Sequence, residues 1–395
     1  MTNDALLQSL KSHLAWWGIK RFTSDADYFD WQRKRLSSAE LIQLSRAVEQ
    51  KQRGGHGDEV AFYDLIAQPQ ILPVLYSQRY EYYLEIGSRV AARLGDADCV
   101  LDFSCGVGVL TTFYATQRLE KQFVGIDRSP ASVAVAREKT KDLGLSNLRF
   151  ECTDVDSQTI AGSYDLIIAT HSLVQAEQDP GIPSHNWQTF ERAHDTKQQA
   201  VFEQRTGIDV RLDRLNALLA QKGRMIVFEK TRQLARRVPL QRALAARDLG
   251  LIERLELIRY RLVEEVTDDG PFYLLQKEAA NTLHWDESPE PDEGPLFDRT
   301  QLKTHSTDPD TPLYENHWPS AQHVWEQLHS KRLLKETTRQ ESDGRQLHVE
   351  LGQAEEGVYL YCANTYDQRQ LVMVEPARAH MLESYYQEIV NGVFG

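Results

Sequence analysis

Two glycines follow the first strand predicted from the sequence, in the stretch VLDFSCGVG at residues 100–108. Glycine in a turn after a strand lets the backbone approach a ligand closely, because a Cβ atom there would clash. Loops of this kind also bind phosphates, so the glycines alone do not identify the ligand. Gly106 and Gly108 therefore predict a ligand site whose chemistry depends on the residues around them.

An acidic residue just before this loop limits which ligand can bind. In a dinucleotide site the pyrophosphate lies against the N-terminus of the next helix, where the carboxylate of Asp102 would repel it. A ligand with an amino group and a positively charged sulfur would be attracted instead. Thr111 also stands where the dinucleotide fingerprint has its third glycine. Both residues favour a sulfonium cofactor, and a nicotinamide-dependent dehydrogenase is the weaker alternative.

Two further acids follow at the ends of the next predicted strands. Asp127 ends the second strand, where a carboxylate can accept hydrogen bonds from both hydroxyls of a ribose. Asp154 follows the third strand, where it could accept a hydrogen bond from an adenine amino group. Each acid alone is more often a surface residue than a ligand. Their occurrence in order at successive strand ends predicts a site for an adenosyl group.

The elements that must position these acids alternate along the middle of the chain. Short apolar runs predict buried parallel strands, and apolar residues at helical spacing predict the helices 131–143 and 210–219. Two more candidate strands, 252–262 and 271–276, are joined by a predicted turn at 268–270. This alternation predicts an α/β fold with a doubly wound sheet and right-handed crossovers. The first five predicted strands are 99–103, 122–126, 148–150, 164–169 and 224–228.

The flanking segments differ from this alternating region, which covers residues 96–278. Residues 1–95 have apolar positions at helical spacing and predict an N-terminal helical cap. Residues 279–312 are rich in Pro, Asp and Glu and predict a solvated linker rather than an acidic interaction arm. Residues 313–395 predict a small α+β domain with an antiparallel meander and a final helix after Pro376. No chemistry is evident in that domain, and its role is open.

The composition excludes some classes of partner and favours others. The formal net charge of −13 over 395 residues disfavours a nucleic-acid partner, although a local basic patch could still bind one. No apolar run is long enough to cross a bilayer, and the N-terminus lacks the pattern of a secretory signal. The four cysteines have no metal-type pair spacing, so we expect reduced thiols, no bound metal and a cytoplasmic protein. The oligomeric state is not indicated.

Residues 96–278 resemble class I S-adenosylmethionine-dependent methyltransferases, on the glycine loop, the three acids and the alternating elements described above. The resemblance implies a Rossmann-like, seven-stranded sheet whose last strand is antiparallel, and S-adenosyl-L-methionine as the cofactor. It implies that the loop binds the methionine end, Asp127 the ribose and Asp154 the adenine. Ser104 stands where the family most often has glycine. The residues assigned to the cofactor in this way are Asp102, Ser104, Cys105, Gly106, Gly108, Asp127, Arg128, Asp154, Val155 and Thr170.

The end of the fourth strand is where this family has the residues nearest the transferred methyl group. Here His171 follows Thr170. His171 could be a general base, because the usual pKa of histidine suits proton transfer at neutral pH. It could equally be a wall residue that moves no proton, since methyl transfer can depend on proximity and alignment alone.

The sequence limits the methyl acceptor only in part. The Asn/Asp-Pro-Pro-aromatic motif of enzymes that methylate the amino groups of nucleic-acid bases is absent, and so is the Pro-Cys pair of cytosine C5 enzymes. The long segment 175–208 predicts either a substrate lid or a helical insertion. We predict methyl transfer to an oxygen or nitrogen of a small molecule or peptide. An RNA or protein acceptor docked by the C-terminal domain, and a non-catalytic cofactor-binding protein, stay open as alternatives.

Overall fold

The structure is a computed structural model that describes residues 3–53, 56–174, 179–263, 266–280, 282–289, 292, 294–302, 311–341 and 344–392. The chain divides into two compact units. The first unit is Met1–Glu177, Glu203–Arg232 and Arg242–Trp285, and the second unit is Gln178–Phe202, Gln233–Gln241 and Asp286–Gly395. Within the described residues, no helix is both long enough and apolar enough to cross a membrane.

The helices and strands of the described residues have the following bounds. The helices are α1 (Asn3–Trp16), α2 (Asp25–Arg35), α3 (Ser38–Arg53), α4 (His56–Ile66), α5 (Leu72–Gln78), α6 (Tyr80–Ala92), α7 (Val109–Gln117), α8 (Pro130–Asp142), α9 (Thr196–Thr206), α10 (Ile208–Leu218), α11 (Leu234–Ala245), α12 (Arg299–Leu302), α13 (Ser320–Gln327) and α14 (Ala379–Asn391). The strands are β1 (Cys99–Phe103), β2 (Gln122–Asp127), β3 (Leu148–Cys152), β4 (Tyr164–Thr170), β5 (Leu219–Phe228), β6 (Leu249–Leu251), β7 (Glu256–Arg261), β8 (Val266–Lys277), β9 (Tyr314–Asn316), β10 (Arg332–Gln340), β11 (Gln346–Ala354), β12 (Gly357–Asn364) and β13 (Arg369–Val374).

The first unit is built on a mixed sheet. Its described strands have the order β3-β2-β1-β4-β5-β8-β6, and β7 also pairs with β8. Strands β1 to β5 pair in parallel, whereas β8 is antiparallel to β5. Parallel strands with helices on both faces are buried on both sides, which explains their continuous apolar runs. The predicted doubly wound α/β sheet with an antiparallel last strand is confirmed.

The predicted turn at 268–270 is wrong. These residues lie inside β8, which pairs with β7 through a register shift after Ile258. Asp269 falls at this irregularity, because Ile258 pairs with Gly270 and Arg259 with Asp268. A Cβ atom on Gly270 would lie 2.5 Å from the carbonyl oxygen of Glu229, so this glycine allows a close backbone approach and does not mark a turn.

The predicted strand at 252–262 is also divided differently. The structure has β6 at Leu249–Leu251 and β7 at Glu256–Arg261, with an irregular connection between them. Both strands pair with the long strand β8. The sequence analysis missed β6 and began the second strand at residue 252 instead of Glu256, because apolar residues also occur in the connection between β6 and β7.

The N-terminal helices fix the helix that follows the glycine loop. His13 of α1 is buried, with its Nε2 atom 2.9 Å from the carbonyl oxygen of Val109 and 3.2 Å from the hydroxyl of Thr112. The indole nitrogen of Trp17 lies 3.1 Å from the same ring nitrogen. Burial lowers the pKa of His13 to about 4, so its ring is neutral at physiological pH. This neutral hydrogen-bonded group joins α1 to the first turn of α7.

The second unit contains an antiparallel sheet with the order β10-β11-β12-β13-β9 in its described part. Successive residues of β12 point to opposite faces, as the period of two requires. Tyr359 and Tyr361 pack with α13 on one face, whereas Val358 and Leu360 pack with α14 on the other. The predicted C-terminal α+β architecture is confirmed, and the three-residue strand β9 was missed because so short a strand has no periodic signal.

Candidate functional site

The glycine loop is attached to the end of β2. The backbone N–H of Cys105 donates to the carbonyl of Ile126 at 3.0 Å. Ser104, Gly106 and Gly108 have φ angles of 57°, 58° and 79°, in the left-handed region. This conformation favours glycine, so the exposed Ser104 occupies a position where glycine would be less strained. The loop is thus a fixed backbone turn at the carboxyl end of β1.

Gly108 is required by packing below the loop. A Cβ atom built on it would lie 2.6 Å and 2.9 Å from two atoms of the Phe150 ring, which is closer than real Cβ atoms come. A Cβ atom on Gly106 would lie 3.5 Å from the Tyr76 hydroxyl, which is ordinary contact. Gly106 is therefore constrained by its φ angle alone, and Gly108 by both its φ angle and its neighbours.

Asp127, at the end of β2, holds the loop through its carboxylate. Its Oδ2 atom accepts the N–H of Gly106 and its Oδ1 atom accepts the N–H of Ser129, both at 2.8 Å. Burial raises the pKa of Asp127, and the two N–H donors and Arg128 oppose that rise. Each carboxylate oxygen can accept a second hydrogen bond, so both oxygens retain acceptor capacity for another ligand.

Asp102 of β1 is more deeply buried, with 6% of its surface exposed. Its Oδ2 atom accepts a 2.6 Å hydrogen bond from the hydroxyl of Thr111, in the first turn of α7. Burial raises the pKa of Asp102 to about 7, the Thr111 hydrogen bond opposes this, and the Asp127 carboxylate adds to it. Thr111 therefore supports the carboxylate from the position where a dinucleotide fingerprint would have glycine.

The residues after β2 and β3 are engaged in their own loops. Arg128 pairs with Glu59 of α4. The carboxylate of Asp154 accepts the hydroxyl of Ser157 at 2.8 Å and the N–H of Asp156 at 3.1 Å. Val155 is 3% exposed. The structure thus places these residues at the same edge of the sheet as Asp127, with Asp154 capping the turn that follows it.

The end of β4 brings Thr170 and His171 against an aromatic cluster. The hydroxyl of Tyr82 donates to the hydroxyl oxygen of Thr170 at 3.1 Å. The Tyr82 ring stacks on the His171 ring with centroids 5.1 Å apart and planes inclined by 20°. The His171 ring also contacts the Phe228 ring, with the two ring centroids 5.1 Å apart. His171 has a φ of 52°, and its N–H donates to the carbonyl of Phe228 at 2.8 Å.

Two buried charged residues that the sequence analysis missed, Glu229 and Arg211, fix the loop after His171. One carboxylate oxygen of Glu229 accepts the N–H groups of Ser172 and Leu173, both at 2.7 Å. Arg211 donates to both carboxylate oxygens of Asp156 and to the carbonyl of Ser172. Burial raises the pKa of Glu229 to about 7. Glu229 follows the fifth strand directly, so the signal that found Asp127 could have found it, whereas Arg211 has no such signal.

Helix α4 contributes a further acid that the sequence did not single out. Asp64 accepts the hydroxyl of Ser129 at 2.6 Å and the N–H of Ala131 at 3.1 Å. Together with the ion pair between Glu59 and Arg128, this joins α4 to the loop between β2 and α8. The N-terminal helices therefore form one side of the site around Asp127.

Comparison with known proteins agrees with this geometry. The sequence model of a family described as a methyltransferase domain matches residues 94–249. This region is a class I S-adenosylmethionine-dependent methyltransferase domain. The match contains the glycine loop, the acids at the ends of β1 and β2, and the end of β4 with His171. The methyltransferase domain thus covers every residue that the sequence analysis assigned to the cofactor.

Two curated relatives align with part of this chain. The release factor glutamine methyltransferase of Escherichia coli is 26% identical over 92 residues, which are 23% of this chain and 33% of that protein. The malonyl-[acyl-carrier protein] O-methyltransferase of Acetivibrio thermocellus is 27% identical over 101 residues, which are 24% of this chain and 35% of that protein. The chain therefore spans about a third of the length of these relatives.

Solved structures of methyltransferases are similar to this chain at low identity. Magnesium protoporphyrin IX methyltransferase from Synechocystis, with bound S-adenosylmethionine, is 17% identical, with a TM-score of 0.35 over 53% of this chain and 83% of that one. The N-methyltransferase NodS from Bradyrhizobium japonicum, with S-adenosylhomocysteine, is 16% identical, with a TM-score of 0.34 over 49% of this chain and 85% of that one.

Proposed function

We propose that this protein transfers a methyl group from S-adenosylmethionine to an oxygen or nitrogen atom of a small molecule or peptide. One observation carries the proposal. Two carboxylates, the buried Asp102 and the half-buried Asp127, flank a left-handed glycine loop at the carboxyl ends of adjacent parallel strands. Ligands of open α/β sheets bind at this edge, and two carboxylates there attract a cation and repel a pyrophosphate.

The residues of the site fit the proposed cofactor. Asp127 keeps the loop in place and has remaining acceptor capacity for two ribose hydroxyls. Asp102 supplies a negative charge for the amino group, with the loop residues Ser104, Cys105 and Gly106 beside it. When bound, S-adenosylmethionine supplies a methyl group attached to a positively charged sulfur. The bond between that carbon and the sulfur breaks as the bond to the acceptor forms, and S-adenosylhomocysteine is released.

We further propose that His171 faces the acceptor, that Thr170 contacts the cofactor, and that Arg128, Asp154 and Val155 surround the adenine. The contacts of the His171 ring with the Tyr82 and Phe228 rings support this, because they fix His171 at the end of β4. A proton must leave the acceptor during or after transfer, and His171 is the side chain whose usual pKa suits that task. The alternative, that His171 only shapes the wall, makes a different prediction for the variant described below.

The ionisation of Asp102 predicts a pH dependence of cofactor affinity. The pKa of Asp102 is about 7 in the folded protein, well above its value in an unfolded chain, so folding favours the protonated form. Protonation of Asp102 therefore contributes stability that is fully present below about pH 4 and is lost as the pH rises through 7. Cofactor binding needs the ionised form, so affinity for S-adenosylhomocysteine should rise about tenfold between pH 6 and pH 8. Calorimetric titrations at several pH values measure this change. Asp102→Asn should bind weakly with little pH dependence, and an unchanged slope in that variant would reject the assignment.

The activity itself is tested by transfer of a labelled methyl group. The purified protein is incubated with methyl-labelled S-adenosylmethionine and a cell extract, which is then separated into small molecules, protein and RNA. We expect label in the small-molecule or peptide fraction, and label confined to RNA or large proteins would overturn the acceptor class.

The role of His171 is tested once the acceptor is known. If His171 is a general base, His171→Ala should methylate the acceptor more slowly, and increasing pH should restore the rate. A full rate of methylation in His171→Ala at all pH values rejects the role of general base.

The curated relatives do not select one acceptor. One relative is named as a methyltransferase of a release factor glutamine, and the other as an O-methyltransferase of malonyl-[acyl-carrier protein]. These acceptors differ chemically, and the alignments cover only 23% and 24% of this chain. The acceptor of this protein must therefore be found from its own residues.

A further inference from the structure

Arg79 is a cation beside aromatic rings, with no carboxylate partner among the described residues. It lies between α5 and α6 and is half-buried. None of the described carboxylates forms an ion pair with it. By contrast, Arg89 and Arg93 of the neighbouring helix α6 both pair with Glu256. Because partial burial makes a cation more costly without a counterion, a half-buried arginine with no partner among the described carboxylates points to an anion that comes from outside the chain.

The surroundings of this guanidinium are tyrosine rings. Its carbon lies 5.8 Å from the centroid of the Tyr82 ring, within the range of a cation–π interaction. Tyr63, Tyr83 and Tyr260 are close enough to interact with it electrostatically. Tyr82, Tyr83 and Tyr260 are buried. An aromatic ring beside Arg79 would extend this cluster of tyrosines, since aromatic rings pack well on one another.

The same rings connect Arg79 to the end of β4. Tyr82 contacts Arg79, stacks on His171 and donates its hydroxyl to Thr170. Tyr82 also lies 5.6 Å from the Tyr260 ring. The Tyr82 ring therefore contacts both Arg79 and His171, the residue that we propose to face the acceptor. A ligand held by Arg79 would extend toward His171.

We propose that Arg79 binds the carboxylate of an aromatic carboxylic acid, and that this acid is the class of the methyl acceptor. The inference rests on the proposed function, because it places the acceptor beside the cofactor. A guanidinium binds a carboxylate through two parallel hydrogen bonds, which fixes orientation as well as position. Arg79 is thus a specificity-determining residue, and the tyrosines hold the body of the acceptor.

The test uses three pairs of probes with the full chain in saturating S-adenosylhomocysteine: benzoate, 4-hydroxybenzoate and 4-aminobenzoate, each with its amide. Ligand-observed NMR gives the dissociation constants. At least one acid should bind the wild type about tenfold or more tightly than its amide. Arg79→Gln should remove this difference, and Arg79→Lys should retain part of it. Arg93→Gln, a change in a paired arginine of α6, serves as the matched control and should retain it.

Several results would overturn the inference. They are the absence of binding by all three acids, equal binding by Arg79→Gln, and Arg79-dependent binding of inorganic phosphate without binding of any acid. Affinity for S-adenosylhomocysteine is measured in every variant and should not change in Arg79→Gln. If the wild type binds S-adenosylhomocysteine but none of the acids, only this inference fails. If it does not bind S-adenosylhomocysteine at all, the proposed function fails as well.

Discussion

Replacing Asp127 by alanine should abolish measurable binding of S-adenosylhomocysteine, with a loss of affinity of about 100-fold or more. The reason is twofold. The carboxylate supplies the acceptors proposed for both ribose hydroxyls, and charged hydrogen bonds of this kind contribute about 1.5–3 kcal/mol each. The same carboxylate fixes the loop through the N–H groups of Gly106 and Ser129, which the variant leaves without this acceptor. Isothermal titration calorimetry measures the change directly.

A matched control for Asp127→Ala lies at the amino-terminal ends of the parallel strands, opposite the glycine loop. Asp165 also accepts two backbone N–H groups, from Asp98 at 3.0 Å and Cys99 at 2.9 Å, near the beginnings of β1 and β4. Asp165→Ala removes the same kind of interaction away from the proposed cofactor site. Its affinity for S-adenosylhomocysteine should stay within about twofold of the wild type. Equal loss of affinity in the two variants would mean that Asp127 acts only through stability.

The second large effect is expected from Arg211→Met. The side chain of Arg211 is 7% exposed and makes two hydrogen bonds to Asp156, at 2.8 Å and 2.9 Å. It also donates to the carbonyls of Ser172 and Leu173. Removing Arg211 leaves the charge of Asp156, whose side chain is 30% exposed, so the expected cost is about 3 kcal/mol, the low end of the range for buried pairs. The midpoint of thermal unfolding should therefore fall by about 6 °C or more.

An exposed ion pair provides the control for Arg211. Arg149 lies 2.9 Å from Glu151, but its side chain is 60% exposed, so Arg149→Met should lower the midpoint by less than about 2 °C. Scanning calorimetry measures both variants. The double variant with Asp156→Asn should recover part of the lost stability, because it removes the charge left behind. A midpoint for Arg211→Met equal to that of Arg149→Met would contradict the structural role given to this residue.

Local sequence signals were sufficient to find the strand ends and their acids. Asp102 and Asp127 were found because apolar runs mark the strands of a parallel sheet, and the edge where those strands end is the same for all of them. The five parallel strands were found for the same reason. The assignment of Asp154 and Arg128 to the adenine stays a prediction, as does the role of the segment 175–208, of which residues 175–178 lie outside the described residues.

Other features depend on contacts between distant parts of the chain. Gly270 follows two aspartates, which is a strong local signal for a turn, yet its position is determined by the approach of the Glu229 carbonyl. The stacking of Tyr82 on His171 joins residues far apart in sequence, so no periodicity reveals it. The ion pair between Arg211 and Asp156 is of the same kind. Such residues are visible only when the fold has brought them together.

The central claim is that the glycine loop and its two acids bind S-adenosylmethionine. A crystal structure of the protein grown with S-adenosylhomocysteine tests it most directly. We expect the ribose hydroxyls on the carboxylate of Asp127 and the amino group of the ligand beside Asp102, at the carboxyl ends of β1 and β2. A ligand bound elsewhere, or an ordered loop without ligand at a saturating concentration, would contradict the claim.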